Sequence, residues 1–142
     1  MNSMNENEWR EFVMQGSRTG KLATVREDGR PHVVPIWFIL KGKQVFFMTG
    51  EDTVKAGNIH RDPRVAINID DQIFPYSYVT IEGLAEVLNP TADEFLEIAT
   101  QIARRYVGDE RAFEYGSRNA VPGELLFRVK PSKILSGKEV AL

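Results

Sequence analysis

Residues 19–49 read TGKLATVREDGRPHVVPIWFILKGKQVFFMT, and the turns in this stretch decide the fold. Two extended segments, Thr19–Arg26 and Arg30–Leu40, flank Glu27-Asp28-Gly29. An Asp-Gly pair between apolar segments is a hairpin signal, because glycine accepts the positive φ such a turn requires. A second tight turn, Lys41-Gly42-Lys43, leads into Gln44–Thr49. The stretch therefore predicts a meander of three consecutive antiparallel strands, the usual opening of a small barrel.

Upstream, Asn5 with Glu8 forms a capping pair, and Trp9, Phe12 and Val13 hold helical spacing until Gly16. Downstream, residues 50–62 break the strand pattern. Asp52 is placed to cap a short helix carrying Val54, Lys55, Asn58 and Ile59, which Pro63 stops. Arg64–Asp70 alternates as a fourth strand. Tyr78–Leu88 alternates most clearly, with Val79, Ile81, Ala85 and Val87 on one face and Thr80, Glu82 and Glu86 on the other. Gly83 in its middle signals a bulge or a close backbone approach. Thr91 with Glu94 opens a helix bearing Phe95, Ile98, Ala99, Ile102 and Tyr106, and a shorter helix over residues 110–115 ends at Gly116. Glu124–Lys130 makes a sixth strand and Lys133–Ser136 a short seventh. The expected class is α+β: one domain over residues 1–142, an antiparallel sheet curled into a barrel with helices at its side.

Composition narrows the function. A chain of 142 residues builds one core. Its 42% hydrophobic and 27% charged residues exclude disorder as the dominant state. The net charge of -2 argues against a nucleic-acid partner. The absence of cysteine excludes disulfides, zinc knuckles and a thiol nucleophile. Residues 1–8 are polar and acidic, unlike a leader, and the longest apolar run, Val33–Leu40, is too short to span a bilayer. The chain reads as cytoplasmic, with no membrane partner.

Two segments carry the chemistry. In Phe46–Lys55 a strand ends in Thr49-Gly50 and a helix begins with Thr53 and Lys55. Helix N-termini present unpaired N–H donors and a positive dipole end, which suit a phosphate, and Thr49, Thr53 and Lys55 add two hydroxyl donors and a cation. A capped surface helix with a solvated lysine accounts for the same residues. In Val33–Phe38, Pro35 cannot donate to a ladder, so one side of that strand lacks a partner. A flat ligand along the backbone explains the gap, and so does a plain edge strand. His32 and His60 are the only histidines and do not make a metal site; His60 reads as solvated. Arg61, Arg64, Arg104, Arg105 and Arg111 are interleaved with acids and read as solvated faces. Phe74, Tyr76 and Tyr78 around Pro75 suit either a planar ligand or a subunit interface. Gly-x-Ser-x-Gly, Walker and Gly-x-Gly-x-x-Gly motifs are absent.

Taken together, Gly20–Val25 with Asp28-Gly29-Arg30-Pro31, Phe47–Lys55 with Asn58 and Arg61–Val65, and Val79–Gly83 resemble the pyridoxamine-phosphate-oxidase-like split barrels. That family includes FMN enzymes and deazaflavin (coenzyme F420) reductases. The resemblance runs from about Thr19 to Lys130 and favours the phosphate reading. It implies a homodimer with cofactor sites at the subunit interface. Thr49, Gly50, Thr53, Lys55 and Asn58 match the phosphate-binding stretch. Val34, Pro35 and Ile36 match the strand along the ring system, with His32 beside it, and Tyr78 is placed to reach the partner's site. Vitamin-oxidase members carry an arginine and a lysine on the second strand, where His32 and Trp37 stand here. Val54 replaces a further basic residue, and no substrate-binding arginine–histidine pair appears in Leu126–Leu142. These departures argue against pyridoxamine-phosphate oxidase activity and point to the F420-using branch, with FMN as the alternative. The implied function is an oxidoreductase passing hydride between the cofactor and an unsaturated small molecule. A non-catalytic flavin or haem carrier is the competing class, and a structural dimer with an empty groove the third.

Overall fold

The computed structural model describes residues 2–142; Met1 lies outside them. Helix α1 (Glu6–Met14) opens with the expected box. The Asn5 side chain accepts the Glu8 N–H, and the Glu8 carboxylate accepts the Asn5 N–H. Trp9 and Val13 enter the core. Strands β1 (Gly20–Val25) and β2 (Pro31–Ile36) form the Asp-Gly hairpin, with Val25 opposite Pro31 and Gly20 opposite Ile36.

The three-strand meander does not form. The expected strand Arg30–Leu40 breaks at Trp37-Phe38 into β2 and β3 (Ile39–Lys41), and β3 pairs with β4 (Gln44–Gly50). The sheet order is β2-β1-β5-β6-β7-β4-β3, so residues 37 and 38 connect its two opposite edges. Every pairing is antiparallel, and the sheet curls into a split barrel. The strand breaks because this corner has other partners. The Phe38 N–H donates to Tyr106 Oη at 3.2 Å, and its carbonyl accepts from Arg105 Nη1 at 2.9 Å. Arg105 is therefore half-buried and engaged rather than solvated as its interleaved acids suggest.

Helix α2 (Val54–Arg61) is capped by Thr53, not Asp52: Thr53 Oγ1 accepts the Ala56 N–H at 3.3 Å. Beyond its other end, the Arg64 guanidinium and N–H bond the Asp62 carboxylate and hold it down from 3.8 to about 2. The folded value lies below the unfolded one, so the pair's contribution is present above pH 3.8 and is lost as pH falls through about 2. Carboxyl shifts followed by NMR should give Asp62 a midpoint near 2, rising toward the free value in Arg64→Ala. A midpoint near 3.8 in the unsubstituted protein would sink this assignment.

Strand β5 (Arg64–Asp70) pairs with β6 (Tyr78–Val87), and β6 with β7 (Glu124–Gly137). The expected sixth and seventh strands are thus one. Glu82 faces Lys133 while Gly83 faces Pro131, so Ser132 bulges out and the ladder resumes past the proline. Val87, assigned to the inner face, is 54% exposed, because the core cluster stops at Ala85. Helices α3 (Ala92–Val107) and α4 (Asp109–Asn119) pack on each other. Gly116 does not end α4. It lies where the helices meet, and a Cβ there would stand 2.4 Å from Thr100 Oγ1.

Two apolar clusters organise the molecule. Leu22, Phe38, Phe47, Ile67, Ile81 and Val129 fill the inside of the curled sheet. Ile39, Phe46, Ile102 and Leu126 join β3, β4 and β7 to α3. The end of β4, the start of α2 and the Trp37 corner are all held against these clusters.

Candidate functional site

Strand β4 ends at Gly50, and Glu51-Asp52 turn the chain into α2. Thr49 is buried, and its Oγ1 lies 3.1 Å from Thr53 Oγ1. Thr53 Oγ1 donates to the Gly50 carbonyl at 2.8 Å. Its one hydrogen is thereby used, so Thr49 is the donor between the two hydroxyls. This local network sets the direction of the helix start and uses both hydroxyl hydrogens, so Thr49 and Thr53 are not the free phosphate donors that the sequence led one to expect.

Lys55, in the first turn of α2, lines a cavity of about 220 Å³ with Pro35, Ile36, Trp37, Met48 and Glu124. Among the described residues its ammonium makes no hydrogen bond and no ion pair. Burial pushes it below the ordinary lysine value, and Glu124 pulls the other way. Glu124 starts β7 directly opposite Gly50. Burial raises its carboxyl, which Lys55 opposes and Asp52 reinforces. Its Oε2 is buried without a hydrogen-bond partner. A Cβ on Gly50 would stand 3.1 Å from Asp52 Oδ1 and 3.6 Å from Glu124 Oε2, so a side chain there would crowd this corner.

The other wall comes from β2. This strand pairs with β1 on one side and lies at the sheet edge on the other, so one edge of Val34-Pro35-Ile36 has no ladder partner among the described residues. Trp37 follows, stacked on Tyr106 with 5.0 Å between ring centroids and planes 6° apart. Tyr106 Oη accepts the Phe38 N–H and donates to the Arg18 carbonyl at 2.9 Å, so the stack is anchored to the corner.

The site residues expected from the sequence separate into two groups. Lys55, Pro35 and Ile36 line the cavity together, with Val34 next along the strand, whereas Thr49, Gly50 and Thr53 form the turn that leads into Lys55 and are not among the cavity walls. His32 lies three residues before Pro35, roughly 10 Å along β2. It faces Thr24 across the ladder, and its Nδ1 is buried without a partner. Asn58 turns under the helix: Nδ2 donates to Thr24 Oγ1 at 3.0 Å, and Oδ1 accepts from Arg61 Nη2 at 2.8 Å. Tyr78 pairs with Gly137, the far end of the strand that Glu124 begins. Sequence reasoning missed Glu124, Met48, Ala99, Ile102 and Asn119 as cavity walls. Only Glu124 left any signal, a carboxylate at a strand start after Pro122-Gly123.

The residues present suit an anion beside a flat group. Lys55 supplies an uncommitted cation at a helix start, and the β2 edge supplies a surface with open backbone. A cavity of about 220 Å³ is small beside the roughly 300–1,000 Å³ of ordinary ligand pockets. A sequence model of the pyridoxamine 5'-phosphate oxidase family matches residues 6–136. The chain belongs to this family. As a pyridoxamine 5'-phosphate oxidase family member, it is 33% identical over 79 residues to general stress protein 26 of Bacillus subtilis (strain 168). That match covers 54% of the chain and 56% of the relative, so it spans little more than half of either. A conserved hypothetical protein from Mycobacterium tuberculosis superposes with TM-score 0.82 and 28% identity, over 96% of this family member and 86% of that protein. An F420 reductase superposes with TM-score 0.67 and 26% identity, over 88% and 94% of the two chains.

Proposed function

We propose that this protein is an oxidoreductase that moves hydride between a bound deazaflavin, coenzyme F420, or alternatively FMN, and an unsaturated small molecule. The observation that carries the reading is Lys55: an unpaired, partly buried ammonium in the first turn of α2, sharing one cavity with Pro35 and Ile36 of the edge strand. Lys55 holds the cofactor phosphate, and Thr49 and Thr53 fix the helix start that presents it. Val34, Pro35 and Ile36 back the ring, and Trp37 closes the wall. When bound, the cofactor supplies the hydride chemistry, while these residues position it and exclude water. The F420 reductase among the similar structures supports the deazaflavin choice.

The functional unit is proposed to be a homodimer with sites at the subunit interface, Tyr78 reaching the partner's site. A groove of about 710 Å³ on the outer sheet face, where Ala23, Val25, Ala66 and Leu84 lie between Arg64 and Glu82, supports a second copy as the covering surface. No helix among the described residues is long and apolar enough to cross a membrane.

Fluorescence titration with F420 and with FMN tests the reading. Lys55→Ala should weaken binding by about 1.5–3 kcal/mol, the range for a hydrogen bond to a charged group. Equal affinities of variant and wild type would remove Lys55 from the site. Binding without any oxidation or reduction by a panel of unsaturated acceptors would instead make the protein a carrier.

A further inference from the structure

Glu124 holds neither the phosphate nor the ring, yet its carboxylate has a buried oxygen without a hydrogen-bond partner. Its Oε2 is buried, receives no hydrogen bond and belongs to a side chain lining the same cavity as Lys55. Leaving such an acceptor unsatisfied forfeits the hydration it had in the unfolded chain, so a ligand that brings a donor gains more there than elsewhere. The opposing Lys55 ammonium attracts Glu124 but makes no ion pair with it, so among the described residues Oε2 has no partner, and a small turn of the carboxylate would present it to the cavity its side chain lines. A phosphate dianion carries no hydrogen to donate and would be repelled by this carboxylate. A hydroxyl fits both requirements, being neutral and a donor. In a cofactor built as ring, polyol chain and phosphate, a ring backed by Pro35-Ile36 and a phosphate held by Lys55 would leave the polyol between them. Glu124 is a wall of the cavity that Pro35, Ile36 and Lys55 also line.

We propose that Glu124 is a specificity-determining residue, accepting a hydrogen bond from a hydroxyl of the ligand's polyol chain. This rests on the flavin or deazaflavin reading, and the probes separate the two. Riboflavin carries ring and polyol without phosphate, and lumiflavin carries the ring alone. Wild-type protein should bind riboflavin more tightly than lumiflavin in fluorescence-quenching titrations. Glu124→Ala should weaken riboflavin by about tenfold or more and leave lumiflavin unchanged, the fold-change of one hydrogen bond to a charged group. Glu124→Gln keeps an acceptor oxygen and should recover part of the loss. Equal losses for both probes, or tighter riboflavin binding in either variant, would overturn the assignment. Binding of FMN or F420 with no preference for riboflavin over lumiflavin would overturn it too, while leaving the functional reading intact. A wild-type protein that binds none of the four would end both.

Discussion

Arg105→Ala should lower the unfolding free energy by about 3–4 kcal/mol, measured as a shifted urea midpoint at unchanged slope. One guanidinium bridges three segments: Nη2 to the Val13 carbonyl at 2.6 Å, Nη1 to Phe38 at 2.9 Å and Nε to Gly16 at 3.1 Å. Its plane also covers the Phe38 ring at 4.5 Å. Val13 lies near the C-terminal end of α1, where carbonyls lack helical partners and favour a cation. Each charged hydrogen bond contributes about 1.5–3 kcal/mol when buried. The side chain is only half-buried, so water replaces part of what is lost and the sum is not reached. Arg105→Lys should fall between, because a single ammonium cannot reproduce the planar fork. A loss below about 1 kcal/mol would mean that solvent substitutes fully at this corner.

Gly83→Ala should cost about 3 kcal/mol, the upper part of the overpacking range. The added Cβ would lie 2.3 Å from the Lys130 carbonyl oxygen and 3.1 Å from Pro131 Cα. Both are backbone atoms of β7, so no side chain can swing aside, and β6 and β7 must separate at the bulge. Gly57→Ala is the internal control. A Cβ there meets nothing within 4 Å on an exposed face of α2, and alanine is the better helix former. That variant should gain about 0.5–1 kcal/mol. Chemical denaturation of both variants decides the matter, and a Gly83→Ala protein as stable as wild type would show that the bulge gives way.

The two halves of the candidate site differed in how far they could be read in advance. Thr49, Thr53 and Lys55 lie within seven residues of one another, so strand end, cap and cation follow from local chemistry. The choice of cap did not, because Asp52 and Thr53 are both good caps and the path out of Gly50 selects Thr53. Asn58 shares the α2 stretch with Lys55 but belongs to its inner side, where Thr24 and Arg61 consume its amide. Glu124 reaches the site only because β7 pairs with β4 and sets it opposite Gly50, a pairing that no pattern near residue 124 announces.

Across the chain, local sequence determined the capping boxes at Asn5 and Thr91, the tight turns at Asp28-Gly29 and Gly42, and the alternation of β5 and most of β6. These depend on backbone sterics and on hydrogen bonds between residues only a few positions apart. Tertiary structure decided the break at Trp37-Phe38, the sheet order, the burial of Arg105 and the meeting of Glu124 with Lys55. In each case the deciding partner comes from a distant segment, as when Arg105 and Tyr106 of α3 take the main-chain groups of Phe38 that a continuous strand would have used.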